Sequence, residues 1–298
     1  MHATVEPPGT CRHVARLAVG TVALVLLCLA LVAGQVSQGR AQPTDGPAGV
    51  QRLLDALRVS ELVAVMAEEG RSHGREMAAD MLPAGAGGHV AAQLERIHDP
   101  ARMEAELRAR FAEVFGAADA GPLVAFFTSD EGREIVALEL AARRAFLDPE
   151  IEASARARYR ALLAGRGDDA RLDAARAHVA AGDLVARNVA ASLNANLAFT
   201  LGLIEGGALE MSREAAIAQV WADADRLRDS TAEWVMSYLL LAQDGLSVAQ
   251  VNDYTALLRS PAGRAMNAAL FTAFGEIYVR NSHAMGRVLA AGMAARDL

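Results

Sequence analysis

The chain has 298 residues, is 53% hydrophobic, and carries 29 Lys+Arg against 36 Asp+Glu for a formal charge of −7. An acidic balance argues against nucleic acid or anionic lipid as the main partner, because both reward a basic surface. All 29 basic residues are arginine, which removes Schiff-base and lysine general-base chemistry from consideration.

Arg12, His13 and Arg16 precede an apolar run over residues 17–34, and small and polar residues follow as far as Gln42. That order is the layout of a secretory signal peptide, with cleavage expected after Gly34 or after Ala41. The apolar run is also close to the lower limit for a membrane span, roughly 17 residues, so the alternative is an uncleaved inner-membrane anchor. Basic residues before the run would keep the N-terminus inside and still export the rest. Leu26 and Leu27 stand before Cys28, where a lipoprotein signal has a small residue. Both cysteines, Cys11 and Cys28, fall in this leader. The mature chain is therefore expected to lack disulfides, thiolate nucleophiles and cysteine metal sites.

Beyond the leader, Ala, Leu, Arg and Glu dominate and alternating β-branched runs are scarce, which predicts an all-α protein. Helix-start signals recur. They are Ser60 ahead of "ELVAVMAEE", Asp99-Pro100 ahead of "ARMEAELRARFAEVF" and Asp148-Pro149-Glu150 ahead of "IEASARARYRALLAG". Ser212 ahead of "REAAIAQVWADADRLRD" and Ser247 ahead of "VAQVNDYTALL" continue the series. Cap residues with proline or acid in the first turn suit the free N–H groups and the helix dipole. Glycine-rich punctuation at 83–88 ("PAGAGG") and 164–169 ("AGRGDD") marks loops. The expected architecture is a bundle or array of about nine to eleven helices in two similar units, 43–165 and 168–298, after a 1–41 leader.

The unit signal is a Ser-x-x-Gly-Arg frame that occurs twice: Ser129, Gly132 and Arg133 in "FFTSDEGREIV", and Ser260, Pro261, Gly263 and Arg264 in "LLRSPAGRAMN". Each serine is placed to cap a new helix, with Asp130 and Glu131 or Pro261 in the first turn. A glycine costs roughly 1 kcal/mol relative to alanine inside a helix, so its recurrence predicts a close approach by the incoming helix. An arginine near a helix N-terminus faces the wrong end of the dipole and needs a partner. Asp253 is the candidate for Arg264, and Asp130 or Glu139 for Arg133. A structural helix corner is the favoured reading, and an arginine presented to an anionic ligand the sharper alternative.

The stretches "FFTSDEG" and "YTALLRSPAG" resemble the Ser-Pro-x-Gly signature of a bacterial domain-of-unknown-function family, DUF2059. The resemblance spans about 118–146 and 246–288. Asp130 replaces the family's proline in the first copy, and Leu257 and Leu258 replace its aromatics in the second. The resemblance implies an exported helical protein and no mechanism.

Few chemical motifs compete. "GRSHG", residues 70–74, fits the Gly-x-Ser-x-Gly nucleophile elbow with Ser72 as nucleophile, but an elbow needs a strand before it. His73, His89, His98, His178 and His283 show no zinc-ligand spacing. Asp223, Asp225 and Asp229 lack a calcium loop's glycine and terminal glutamate. No metal, cofactor or catalytic set is expected. Phe271, Phe274, Tyr278, Met285 and Leu289 form a core stripe. Asn188, Ser192, Asn196 and Thr200 recur every fourth residue along an apolar helix, so they need hydrogen-bond partners from a neighbouring helix, water or a ligand. That face is the candidate ligand site.

The expected function is therefore a non-catalytic protein- or ligand-binding module of the bacterial cell envelope, periplasmic, whose partner is an envelope protein or a small ligand. The alternatives are an envelope hydrolase using Ser72 or a carboxylate pair, and a carrier of lipid or another apolar ligand with a pocket between the units.

Overall fold

Cap chemistry sets most of the helix starts. The computed structural model describes residues 46–82 and 87–294, and every regular element in it is an α-helix. The leader with its cleavage positions and both cysteines, and residues 83–86 of the first glycine-rich stretch, lie outside the described residues. In chain order the helices are α1 (Gly46–Ala56), α2 (Val59–Met81), α3 (Gly87–Ile97), α4 (Pro100–Phe115), α5 (Gly121–Phe127), α6 (Asp130–Ala145) and α7 (Pro149–Leu163). There follow α8 (Asp169–Gly182), α9 (Leu184–Glu205), α10 (Arg213–Ala222), α11 (Ala224–Ala242), α12 (Val248–Leu258) and α13 (Pro261–Ala294).

Asp99 accepts from Arg102 N at 2.7 Å and Asp148 from Glu150 N at 2.9 Å, each with proline at the next position. Ser212 caps α10, and Ser247 with Gln250 forms a reciprocal capping box at α12. Ser60 does not cap. Helix α2 begins at Val59 after Arg58, which adopts left-handed geometry at φ 52°, and the Ser60 hydroxyl donates to Glu104 at 2.6 Å.

The all-α class holds, but thirteen described helices exceed the nine to eleven expected. The extra ones come from breaks at residues that are not usual breakers. Asp183 turns the chain with positive φ between α8 and α9, and Asp223 divides one expected helix into α10 and α11. Neither is glycine or proline, so a composition-based reading runs straight through them.

The long α13 is the axis of the molecule. It packs along α9 on one side and α4 on another, while α11 bridges α6, α7, α8 and α9. The main core contains residues from both sides of position 165, among them Leu53, Phe111 and Phe127 from the first part and Tyr238, Tyr254 and Phe274 from the second. At the α9–α13 crossing the two backbones touch. A Cβ on Gly202 would lie 2.3 Å from His283 O, and one on Gly286 would lie 2.3 Å from Phe199 O. Gly206 sits one turn on, where a Cβ would meet Ala290 Cβ at 2.3 Å. Small residues at four-residue spacing thus let α9 and α13 approach to van der Waals contact of their main chains. Among the described residues no helix is long and apolar enough to cross a membrane.

Candidate functional site

The two Ser-x-x-Gly-Arg frames form the same corner, atom for atom. Ser129 Oγ accepts from Gly132 N at 3.1 Å and Ser260 Oγ from Gly263 N at 3.0 Å. Ser129 N donates to Phe126 O at 2.7 Å, and Ser260 N to Leu257 O at 2.8 Å. Those same carbonyls lie against the glycines: a Cβ on Gly132 would be 2.2 Å from Phe126 O, and one on Gly263 would be 1.9 Å from Leu257 O. Only a residue without a side chain lets the new helix start so close under the end of the old one. Both arginines fold back over the corner. Arg133 Nη1 donates to Thr128 O and Arg264 Nη1 to Arg259 O, satisfying a carbonyl at the C-terminus of the preceding helix, where a cation is favoured by the dipole. Arg133 also bonds Asp130 at 2.5 Å. Glu139 lies elsewhere, in the core, and Asp253 takes no part in the Arg264 contact.

Asn188, Ser192, Asn196 and Thr200 are all buried on α9. Asn188 Nδ2 donates to Leu184 O at 2.7 Å and Thr200 Oγ1 to Asn196 O at 2.9 Å, so these two bond back to their own helix. None of the four lines the cavity described next.

A cavity of about 440 Å³ opens between α2, α6, α11 and α13, with His98 closing one end. Three of its walls carry polar groups on helix faces. On α2, Glu68, Ser72 and Glu76 follow one another at four-residue spacing, with Glu69 and His73 beside them. On α13, Tyr278 and Ser282 are one turn apart, with Met285 below. On α6, Arg143 is buried and bonds Glu69 of α2. Its guanidinium stands 5.7 Å from the centre of the Trp234 ring, which in turn packs edge-on to Phe146 at 5.1 Å.

The electrostatics follow from burial. Burial opposes the Arg143 charge, but the adjacent Glu69 and tyrosine oxygens outweigh it and raise its pKa. Burial lowers His73 below the ordinary histidine value, partly offset by Glu76. Burial likewise brings His98 down to about 4 against the raising effect of its bond to Leu94 O. Both imidazoles are therefore neutral at pH 7. The Tyr278 hydroxyl is pushed up by burial and stays protonated. It has no hydrogen-bond partner among the described residues, and the same is true of His73 Nε2. Ser282, only 7% exposed, makes no hydrogen bond there either.

One turn before Arg143, Glu139 lies in the core. It is 1% exposed, and its carboxyl, bonded by Tyr254 OH, is raised to about 8 by burial. It stands behind the cavity wall, not in it.

Ser72 sits in the middle of α2, an uninterrupted helix from Val59 to Met81, so "GRSHG" is not a strand-to-helix elbow. Its glycines serve packing. A Cβ on Gly70 would strike the His98 ring at 2.3 Å, and one on Gly74 would strike Leu94 at 2.5 Å. Most of the cavity residues had no motif to announce them. One signal is present: along α6, Ile135, Val136, Glu139, Leu140 and Arg143 share the buried face, so two ionisable residues occupy apolar positions of the period, and one of them, Arg143, lines the cavity.

Residues 101–160 match the family model DUF2059, described as an uncharacterized protein conserved in bacteria. The DUF2059-like stretch runs from α4 through the first corner into α7 and supplies Arg143, Phe146, Leu147 and Glu152 to the cavity. The second corner lies outside the matched stretch. No curated protein and no solved structure matches the chain.

Proposed function

We propose that the protein is an exported, non-catalytic module of the bacterial cell envelope that binds a small amphipathic molecule in the cavity between α2, α6, α11 and α13. One observation carries this reading: the Tyr278 hydroxyl and His73 Nε2, from two facing helices, are buried without partners among the described residues beside one cavity. Polar groups kept from water are normally satisfied, and a bound molecule is the simplest way to satisfy two at one place. The apolar part of the lining is Trp234, Phe146, Met66 and Met285. Binding is preferred to catalysis because neither Ser72 nor Ser282 hydrogen-bonds a histidine among the described residues, and a nucleophile needs an adjacent base. Export is supported by the basic-then-apolar order of residues 12–34.

The test is binding of the neutral fluorophore N-phenyl-1-naphthylamine to the full chain, with Ser72→Phe as the blocking variant. Ser72 is half-buried on the cavity wall, so a larger ring there narrows the space without disturbing the main core. Saturable fluorescence enhancement that Ser72→Phe weakens at least tenfold is the expected result; equal binding by both proteins refutes the site. Export is checked by fractionating expressing cells, where recovery in the periplasmic fraction or on the outer face of the inner membrane is expected and a cytoplasmic protein contradicts it.

A further inference from the structure

Resting on the cavity reading above, we infer that the preferred occupant is an organic cation, an ammonium group on a short apolar body, and not a carboxylate or phosphate. Two arginines line the cavity, and the deeper one is already committed. Arg143 is 3% exposed, bonds Glu69 and stands over Trp234, so an incoming anion would have to displace a buried ion pair to reach it. Only Arg75 remains at the rim. Against it stand Glu68 and Glu76, both exposed and without an ion pair among the described residues, and Glu152, which is held by Arg156 at 2.8 Å. The two histidines add no positive charge at neutral pH, because burial keeps both neutral.

The acceptors inside complete the match. A neutral imidazole nitrogen and a tyrosine oxygen can each accept from an N–H donor, and neither His73 Nε2 nor Tyr278 OH is engaged among the described residues; the Ser282 hydroxyl beside them can accept as well. Leu147, 37% exposed at the mouth, offers an apolar lip to the rest of the molecule. The chain's formal charge of −7 also draws cations toward the surface before contact.

The experiment is displacement of N-phenyl-1-naphthylamine from the full chain at pH 7 and low ionic strength by n-octylammonium, 1-octanol and octanoate, which share one tail. Octylammonium should displace at a concentration at least tenfold lower than octanoate, with octanol between. A rim carboxylate roughly 8–10 Å away across water is worth about a twofold change in affinity, and its effect on the anion has the opposite sign. The exposed double variant Glu68→Gln/Glu76→Gln should therefore narrow the ammonium–carboxylate gap several-fold while leaving octanol unchanged, and 0.5 M salt should narrow it likewise. Octanoate equal to or better than octylammonium, or a gap that the double variant leaves intact, overturns the inference; octanol displacement in the same experiment then shows that the cavity reading survives. Failure of all three tails, together with no fluorophore binding, overturns both.

Discussion

Glu139→Gln separates the effect of a buried carboxyl from that of its shape. The carboxyl is 1% exposed, accepts from Tyr254 OH, and is raised from 4.5 to about 8. The folded chain therefore keeps this proton up to about pH 8, whereas the unfolded chain releases it near pH 4.5. Between those values the unfolded state binds fewer protons, so stability falls as pH rises. Below the window the group costs nothing. Above it the full penalty applies, about 5 kcal/mol when the shift is multiplied by 1.36 kcal/mol per pKa unit. Glutamine keeps the acceptor for Tyr254 and cannot ionise. Urea unfolding followed by far-UV circular dichroism at pH 5, 6.5 and 8.5 should find the variant within about 1 kcal/mol of the parent at pH 5. At pH 8.5 the variant should be more stable by several kcal/mol. Taking the difference between the two proteins cancels every other titrating group, His98 included. A difference that stays flat across pH would refute the reasoning, because it would mean that the native carboxyl ionises as easily as a free one.

Other substitutions read out separate parts of the structure. Gly263→Ala must push a Cβ away from Leu257 O, a 1.9 Å approach, so it should destabilise by about 2–4 kcal/mol despite alanine's better helix propensity, as measured by denaturant midpoint. Ser260→Ala loses only the cap bond to Gly263 N and should cost about 1 kcal/mol in the same measurement. Arg143→Met leaves Glu69 without its buried partner and should cost about 3–5 kcal/mol, whereas the double change Arg143→Met/Glu69→Leu should recover much of that loss. His98 is held at about 4 by burial and has an ordinary value of 6.5, so stability should fall as pH drops from 6.5 toward 4, and His98→Asn should flatten that limb of the pH curve.

The legibility of the fold tracks how local each cause is. Asp99-Pro100, Asp148-Pro149, Ser212 and Ser247 declare their helices because the cap and the N–H it satisfies are three residues apart or fewer. The turns at Arg58 and Asp183 are not legible, since left-handed geometry at a non-glycine residue is imposed by the packing on either side. The corner glycines stand out through repetition alone; what they touch, the carbonyls of Phe126 and Leu257, is visible only in three dimensions. In the same way Gly202 and Gly286 are far apart in the chain and meet only at the α9–α13 crossing.

The candidate site was harder to see for the same reason. Its walls come from Ser72 and His73, Arg143 and Phe146, Trp234, and Tyr278 and Ser282, four helices whose juxtaposition no spacing encodes. The polar face that spacing did reveal on α9 lies away from this cavity, and Asn188 and Thr200 there each donate to a carbonyl of their own helix. A regular polar stripe and a partner-seeking polar cluster look alike in one dimension; only the surroundings each side chain meets in three dimensions separate them. One residue of the site is marked in one dimension, Arg143 on the apolar face of α6, because charge at a core position demands a partner that the helix itself cannot supply.

The chain's two tryptophans make the most direct measurement possible: Trp234 lines the cavity, and Trp221 on α10 is 61% exposed. Energy transfer from tryptophan to bound N-phenyl-1-naphthylamine, compared between Trp221→Phe and Trp234→Phe, reports where a small amphipathic molecule sits. Strong, saturable transfer in Trp221→Phe and its loss in Trp234→Phe are the expected results; transfer that survives in Trp234→Phe and vanishes in Trp221→Phe would place binding on the outer surface of α10 and contradict the cavity as the functional site.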